Sequence, residues 1–237
     1  MSDALRIGLV AEGITDKLVI QAALSSLLGD RAFILRLLQP EESLPLGLAA
    51  PSVSQGKGWG GVYLWCQGIL QRNGERLTGD MLFDEHDLLI LHLDADVAAK
   101  SYSDCEIDDS TGDLPCEESC PPPAATTDRL RLVLLRWLGE TSIPEKTVLC
   151  TPSKSCETWT VAALFPDDAV MIRKGWECHP KPESRLGTKP KAVRVYKTEA
   201  SYKLIQDDIT AAWPRLTVEL SEAGRFSDDF VSAVGAL

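Results

Sequence analysis

The stretch "LLILHLDADVA" at residues 88–98 determines how the rest of the chain is interpreted. An unbroken apolar run leads into Asp94 and Asp96, which are separated by one alanine. Such a run is typical of a central strand that is buried on both faces of a parallel sheet. Two carboxylates so close together are unfavourable unless a cation offsets their charge or one of them is protonated. The stretch therefore predicts a strand that ends at a metal site, or one in which an aspartate only caps the next turn.

Composition limits the classes of protein that fit. The chain has 237 residues, a net charge of -11 and 44% hydrophobic residues, enough for one sizeable core. The acidic balance excludes a general nucleic-acid coat, which needs clustered Lys and Arg, but it suits an enzyme that meets phosphates through metal ions. No apolar run approaches the roughly 20 residues of a membrane span, and the first residues lack a signal-type pattern. We therefore expect a cytoplasmic protein without a membrane partner.

The cysteines have two interpretations. There are seven of them, an odd number scattered along the chain, which predicts reduced thiols rather than a disulfide framework. Cys116 and Cys120 are four residues apart, and a zinc site that adds Cys105 and either Cys178 or His179 remains open as an alternative.

Hydrophobic periodicity predicts an α/β fold. Apolar runs predict four strands, at residues 5–13, 32–38, 87–96 and 146–152. Helical patterns follow the runs, so we expect a Rossmann-like, mainly parallel sheet flanked by helices. Residues 100–125 are acidic and Pro-rich, which predicts an exposed loop. Residues 166–198 are polar and Lys-rich, and from about residue 199 the pattern predicts a C-terminal helical extension.

Acidic residues stand at the ends of three of the predicted strands. Glu12 follows the first strand, Asp94 and Asp96 follow the third, and Glu157 lies just past the fourth. Because the carboxyl ends of parallel strands meet at one edge of a sheet, we expect these side chains to share a pocket. Hard divalent ions such as Mg²⁺ bind carboxylates together with phosphate oxygens. The grouping of these acidic residues therefore predicts metal-assisted phosphoryl chemistry.

Two further residues extend this set, and each has a simpler explanation. Asp16 lies four residues after Glu12, across a turn that Gly13 allows, but an acid in a first helical turn is favoured by the helix dipole alone. Ser155 precedes Glu157 by two positions and also fits as a helix N-cap.

Three stretches together resemble the Toprim domain, the catalytic module of topoisomerases, bacterial primases and OLD-type nucleases. They are "VAEGITD" at 10–16, "LHLDADV" at 91–97 and "SKSCETW" at 153–159, and the resemblance covers roughly residues 5–165. The chain is most similar to the OLD-type nucleases and to small stand-alone Toprim-like proteins. Those proteins carry a second acid after the first glutamate, a D-x-D and an S-x-E, matched here by Glu12, Asp16, Asp94, Asp96, Ser155 and Glu157.

The resemblance implies a metal-dependent nuclease that hydrolyses DNA or RNA with two Mg²⁺ or Mn²⁺ ions. It places Asp94, Asp96 and Asp16 around one ion, and Glu12 and Glu157 around the other. It also implies a catalytic lysine downstream, for which Lys197 is the candidate and Lys191 and Lys203 are rivals. The expected catalytic residues are therefore Glu12, Asp94, Asp96 and Lys197. Candidate nucleic-acid contacts are Lys57, Lys154, Lys189 and Lys191.

The implied organisation is a Toprim-like catalytic domain at 1–165, with the acidic loop inserted at 100–125. Residues 166–237 would form a basic loop and a helical extension packed on the same domain. OLD-type nucleases carry an ATPase domain, whereas this chain has no phosphate-loop motif, so an ATPase or another protein of an anti-phage defence or mobile-element system is the expected protein partner.

Two other functions remain open. "LHLDADV" also resembles the first motif of haloacid-dehalogenase-type phosphatases, in which Asp94 would be the nucleophile and Asp96 the acid/base. That family gives no role to Glu12. A non-catalytic Toprim-like partner subunit is the second alternative, although a pure scaffold has no use for converging carboxylates.

Overall fold

The computed structural model describes residues 4–40, 58–73, 77, 79–108 and 112–237. In this part of the chain, all the strands run parallel and form one sheet. The strands are β1 Leu5–Val10, β2 Phe33–Gln39, β3 Leu88–His92 and β4 Thr147–Cys150. Their order across the sheet is β2-β1-β3-β4, and Leu9 pairs with Ile90, which in turn pairs with Val148. The predicted parallel α/β architecture, compatible with a Rossmann-like fold, is confirmed.

Helices alternate with the strands and then continue to the C-terminus. The α-helices are α1 Ile14–Leu28, α2 Trp59–Asn73, α3 Leu82–Glu85, α4 Ala124–Trp137, α5 Cys156–Leu164, α6 Ala169–Lys174, α7 Pro182–Gly187, α8 Glu199–Lys203, α9 Gln206–Glu219 and α10 Ser221–Gly235. Short 3-10 helices lie at Ala95–Ala99, Tyr102–Cys105, Trp176–Cys178 and Lys191–Val193. None of the helices in the described ranges is long and apolar enough to cross a membrane.

Strand β3 is buried on both faces, as its unbroken apolar run predicts. Leu88 and Ile90 pack into one hydrophobic core, with α1, α5, α9 and α10. Leu89 and Leu91 point the other way, into a second core with α2 and α4. The alternation of side chains along a strand thus gives the sheet an apolar layer on each side.

The C-terminal helices complete the first of these cores. Helix α9 packs against α1 and α5, while α10 packs against β4 and α9. Trp159 of α5 is fully buried, with its ring centroid 5.2 Å from that of Trp213 and 6.0 Å from that of Phe226. Trp159 is therefore a core residue.

The expectation of an exposed loop at 100–125 is wrong for part of that segment. Tyr102 and Leu114 are buried against the second core. The Tyr102 hydroxyl accepts a hydrogen bond from Trp137 Nε1 and donates one to Asp113 Oδ1, both at 2.7 Å. An aromatic anchor therefore fixes a segment whose composition is otherwise typical of a solvated loop.

The expectation of reduced thiols is wrong for one pair of cysteines. Cys120 and Cys178, 58 residues apart, form a disulfide, whereas Cys66, Cys105, Cys116, Cys150 and Cys156 are free. Sulfurs that are bonded to each other are not available as thiolate ligands, so a zinc site built on Cys120 and Cys178 is also wrong. The disulfide joins the acidic segment to the chain that follows α6.

Candidate metal site at the edge of the sheet

The strand order places a topological switch point between β1 and β3. The chain leaves β1 towards β2 on one side, and β4 follows β3 on the other side, so the connections diverge at the carboxyl ends of these two central strands. Such a switch point is where open parallel sheets place their ligands. Glu12 and Asp94 stand at this point, and the Asp94 backbone N–H donates a 3.0 Å hydrogen bond to Glu12 Oε1. The predicted convergence of these two strand ends is present in the structure.

On the β1 side, Asp16 comes from the first turn of α1. Its side chain is only 3% exposed, and Oδ1 accepts no hydrogen bond from any described residue. The backbone of Glu12 is also contacted from the start of α2. The Gly58 backbone N–H donates to the Glu12 carbonyl oxygen at 3.2 Å, and Gly58 has a φ of 70°, which favours glycine. The start of α2 is thereby held against the end of β1.

On the β3 side, the strand ends at His92, earlier than predicted, and a 3-10 helix begins at Ala95. Asp94 is consequently buried, whereas Asp96 is exposed. The Asp96 backbone N–H donates to the carbonyl oxygen of Lys154 at 2.9 Å, which ties this turn to the chain after β4. Glu12, Asp94 and Asp96 each have a carboxylate oxygen within 4.8 Å of the others.

On the β4 side, helix α5 begins beside Asp94. The Cys156 backbone N–H, in the first turn of this helix, donates a 3.0 Å hydrogen bond to Asp94 Oδ1. Ser155 stands at the N-cap position of α5, but its buried hydroxyl makes no capping hydrogen bond, so the simpler explanation of this residue is not supported. Glu157, in the first turn of the same helix, is buried as well, with 1% of its surface exposed.

Glu157 is held by two residues from the C-terminal segment. Lys197 Nζ lies 3.0 Å from Glu157 Oε1, and the Tyr202 hydroxyl donates to the same oxygen at 3.1 Å. The other oxygen, Oε2, is buried and accepts no hydrogen bond from a described residue. Residues beyond 165 therefore form one wall of the site.

Three residues of this site were not predicted. His92 Nε2 lies 3.1 Å from Asp94 Oδ1 and 3.3 Å from the Cys156 sulfur. His92 could have been found because it precedes Asp94 by two positions, which places both on one side of an extended chain. Cys156 lies in "SKSCETW" at 153–159, between the predicted site residues Ser155 and Glu157. Tyr202 has no local sequence signal, because only the fold brings it to Glu157.

Burial and mutual repulsion disfavour ionisation of most of these carboxyl groups. Burial is the main cause that raises the pKa of Glu12 and of Asp94 well above the ordinary range, and neighbouring carboxylates add to it. The same two effects raise the pKa of Asp16 to about 7. Burial also raises the pKa of Asp96. Protons or a bound cation would each offset the repulsion between these carboxylates.

Glu157 behaves in the opposite way. Its burial by itself would raise the pKa, but the Lys197 ammonium and hydrogen bonds to the carboxylate outweigh that effect, so the pKa of Glu157 is lowered. The Glu157 carboxylate in turn stabilises the charged form of Lys197, so the pKa of Lys197 is raised above its ordinary value. The two groups form an ion pair whose acidic member is buried and whose basic member reaches solvent.

The candidate nucleic-acid contacts are dispersed. Lys154 pairs with Glu117 at 2.6 Å, and Lys189 pairs with Asp168 at 2.5 Å. Lys57 lies outside the described residues. Two of these predicted contacts are thus engaged in ion pairs with the protein itself.

Among the lysines considered for catalysis, Lys197 is the one placed at the carboxylates by its contact with Glu157. Lys203 pairs instead with Glu199 at 2.6 Å, one helical turn away. Lys191 is exposed in a 3-10 helix.

The donor set fits a hard divalent cation. Glu12, Asp94 and Asp96 offer converging carboxylate oxygens, the ligands that Mg²⁺ and Mn²⁺ prefer. The ligand groups differ from the predicted partition, because Glu12 lies with Asp94 and Asp96, whereas Asp16 lies with Asp94, His92 and Cys156.

Fold and site together define the class of this protein as a parallel α/β protein with a carboxylate-rich candidate metal site at the switch point of its sheet. Comparisons with protein-family models, with curated proteins and with solved structures find no match.

Proposed function

We propose that this protein is a metal-dependent nuclease of Toprim type, which hydrolyses phosphodiester bonds of DNA or RNA with Mg²⁺ or Mn²⁺. The observation that carries the proposal is the convergence of Glu12, Asp94 and Asp96 within 4.8 Å at the carboxyl ends of two adjacent parallel strands. The resemblance of the three stretches that hold these residues to the Toprim motifs supports the choice of reaction.

Each residue has a role that its surroundings support. Glu12, Asp94 and Asp96 would hold the cation, and the hydrogen bond from the Asp94 N–H fixes the orientation of the Glu12 carboxylate before the ion arrives. The ion, when bound, supplies Lewis-acid stabilisation of the phosphate and lowers the pKa of water. Glu157 positions the Lys197 ammonium, whose charge would stabilise the negative charge that develops on the phosphate.

The approach of the nucleic acid fits this arrangement. Lys197 is 60% exposed although its partner Glu157 is buried, so its side chain is accessible to a substrate. Since Lys154 and Lys189 are engaged by acidic partners, we expect the metal-loaded site and Lys197 to provide much of the attraction for phosphate. An ATPase or other defence-system partner remains a proposal that follows from the resemblance alone.

The burial of Asp94 supports the nuclease proposal over the phosphatase alternative. A nucleophilic Asp94 needs a carboxylate oxygen that can reach a phosphorus atom, whereas Asp94 is only 6% exposed and one of its two oxygens, Oδ1, accepts from the Cys156 backbone and contacts His92. A purely structural role for the cluster is disfavoured by the cost of burying carboxylates without partners.

The proposal is tested by incubating the purified protein with circular DNA, linear DNA and RNA, each with Mg²⁺, Mn²⁺ or EDTA. We expect metal-dependent cleavage by the wild type, and a loss of about 10²-fold or more in Asp96→Asn and in Glu12→Gln. Asp30→Asn is the matched control, because Asp30 is exposed and follows α1. Cleavage that is equal in Asp96→Asn and wild type, or absent from the wild type with every substrate and ion, would contradict the proposal.

A phosphate monoester substrate distinguishes the phosphatase alternative from the proposed nuclease. Hydrolysis of p-nitrophenyl phosphate that is lost in Asp94→Asn but retained in Glu12→Gln would establish the alternative instead.

A further inference from the structure

Four buried side chains of different chemistry meet behind the carboxylates proposed to bind Mg²⁺. Asp16, His92, Asp94 and Cys156, here called the inner cluster, each place one ligand atom within 4.8 Å of the other three. All four are buried, and His92 is fully so. We infer that the inner cluster is a separate metal site, which binds a divalent transition-metal ion of the zinc type through two carboxylates, one imidazole and one thiolate.

The spacing of the donor atoms suits a four-coordinate ion. His92 Nε2 lies 3.1 Å from Asp94 Oδ1 and 3.3 Å from Cys156 Sγ. Zinc bonds of about 2.0 Å to nitrogen or oxygen and about 2.3 Å to sulfur place tetrahedral ligands roughly 3.3–3.6 Å apart. The two contacts of His92 are therefore within a few tenths of an ångström of this spacing, and all pairs of ligand atoms in the inner cluster lie within 4.8 Å.

An unpaired buried carboxylate oxygen points independently to a ligand. Asp16 is 3% exposed, and its Oδ1 accepts no hydrogen bond from any described residue. Leaving a buried carboxylate unpaired is costly, and burial keeps such groups paired or bound to metal. A cation bonded to Asp16 would remove this cost, whereas a purely hydrogen-bonded network of His92, Asp94 and Cys156 leaves it unexplained.

The donor types distinguish this ion from the proposed Mg²⁺. Imidazole nitrogen and thiolate sulfur are poor ligands for Mg²⁺ and good ligands for Zn²⁺. Four protein donors leave no open position, which is typical of a structural rather than a catalytic zinc site. Binding would replace the proton of the Cys156 thiol, so at least one proton is released to solvent for each ion that binds.

The inner cluster shares Asp94 with the outer group of Glu12 and Asp96. An ion in the inner cluster would therefore hold the Asp94 carboxylate in place for the outer site. The inference does not depend on nuclease activity, since its test measures metal binding. Failure of either proposal leaves the other to be judged by its own experiment.

Cobalt substitution provides the test. The full chain is stripped with chelator under anaerobic conditions without a thiol reductant, which keeps the Cys120–Cys178 disulfide closed. Co²⁺ is then titrated in while absorption is recorded, since tetrahedral thiolate-bound Co²⁺ has a charge-transfer band and intense visible bands. We expect one Co²⁺ per chain, displaced by one Zn²⁺. In Cys156→Ser we expect the charge-transfer band to disappear and metal affinity to fall by at least about tenfold.

The controls separate the inner cluster from other thiols and from misfolding. Cys105→Ser/Cys116→Ser removes the two partly exposed free thiols and should leave the spectrum unchanged. Asp16→Asn is nearly isosteric and should weaken binding while retaining the band. The inference is overturned if the wild type gives no thiolate band, if Cys156→Ser retains the band, or if the double variant loses it.

Discussion

Replacing Asp16 by asparagine tests the electrostatic account of the site directly. Asp16 is 3% exposed, and burial together with the charge of Asp94 raises its pKa from 3.8 to about 7. The folded protein therefore keeps a proton on Asp16 up to about pH 7, whereas the unfolded chain releases it near pH 3.8. Because the folded state binds more protons between these values, its stability falls as the pH rises through them.

The magnitude follows from the size of the pKa difference. Roughly three pKa units at about 1.4 kcal/mol each give a penalty of about 4 kcal/mol above pH 7, and less than half of it is present at pH 5. An asparagine side chain is neutral at every pH, so Asp16→Asn removes the penalty. In metal-free protein we expect the variant to gain about 3 kcal/mol more, relative to wild type, at pH 8 than at pH 5. For a chain of this size that corresponds to a difference of about 8 °C in the shift of Tm.

Urea denaturation in EDTA at the two pH values measures this difference. Comparing the two values cancels the pH-independent effects of the amide on packing. Asp30→Asn, an exposed position after α1, should change stability by less than about 0.5 kcal/mol at either pH. A change in Asp16→Asn that is the same at pH 5 and pH 8, or a loss of stability that is larger at pH 8, would refute the argument.

Three further outcomes are expected. Lys197→Met should lower the cleavage rate by roughly 10²-fold, measured by single-turnover kinetics, and should also destabilise the folded protein, because the buried Glu157 carboxylate loses its cationic partner. Tyr102→Phe should cost about 2 kcal/mol in urea denaturation, since the buried N–H of Trp137 loses its acceptor. Thiol titration in denaturant should count five free thiols before reduction and seven after it, because Cys120 and Cys178 are bonded.

Matched variants accompany the first two of these predictions. Lys203→Met removes a lysine paired outside the site and should retain full activity. Tyr196→Phe removes an exposed hydroxyl and should be neutral. A wild-type rate in Lys197→Met, a neutral Tyr102→Phe, or seven thiols without reductant would each contradict the corresponding contact.

The parallel sheet and its switch point could be predicted because they rest on local patterns. The apolar run before Asp94 is readable as a doubly buried strand, and parallel strands place Glu12 and Asp94 at the same edge. His92 and Cys156 were readable as well, since each lies within two positions of a residue that was noticed.

Other contacts depend on the fold and have no local signal. Tyr202 reaches Glu157 across 45 residues, and nothing near it in the sequence marks it as part of a site. The pairing of Cys120 with Cys178 is equally invisible, because a count of cysteines does not say which of them meet. Tyr102 is buried in an acidic, Pro-rich segment because Trp137 offers it a polar partner inside the core.

The contact of Lys197 and Tyr202 with Glu157 bears on how this protein can be divided. A fragment that stops at residue 165 would keep every strand and the cluster around Asp94, yet it would leave Glu157 buried without these two partners. It would also expose Trp159 to solvent, because the indole of Trp159 packs on Trp213. Grafting the site onto another scaffold, or shortening the chain for expression, therefore requires the C-terminal helices as part of the smallest working unit.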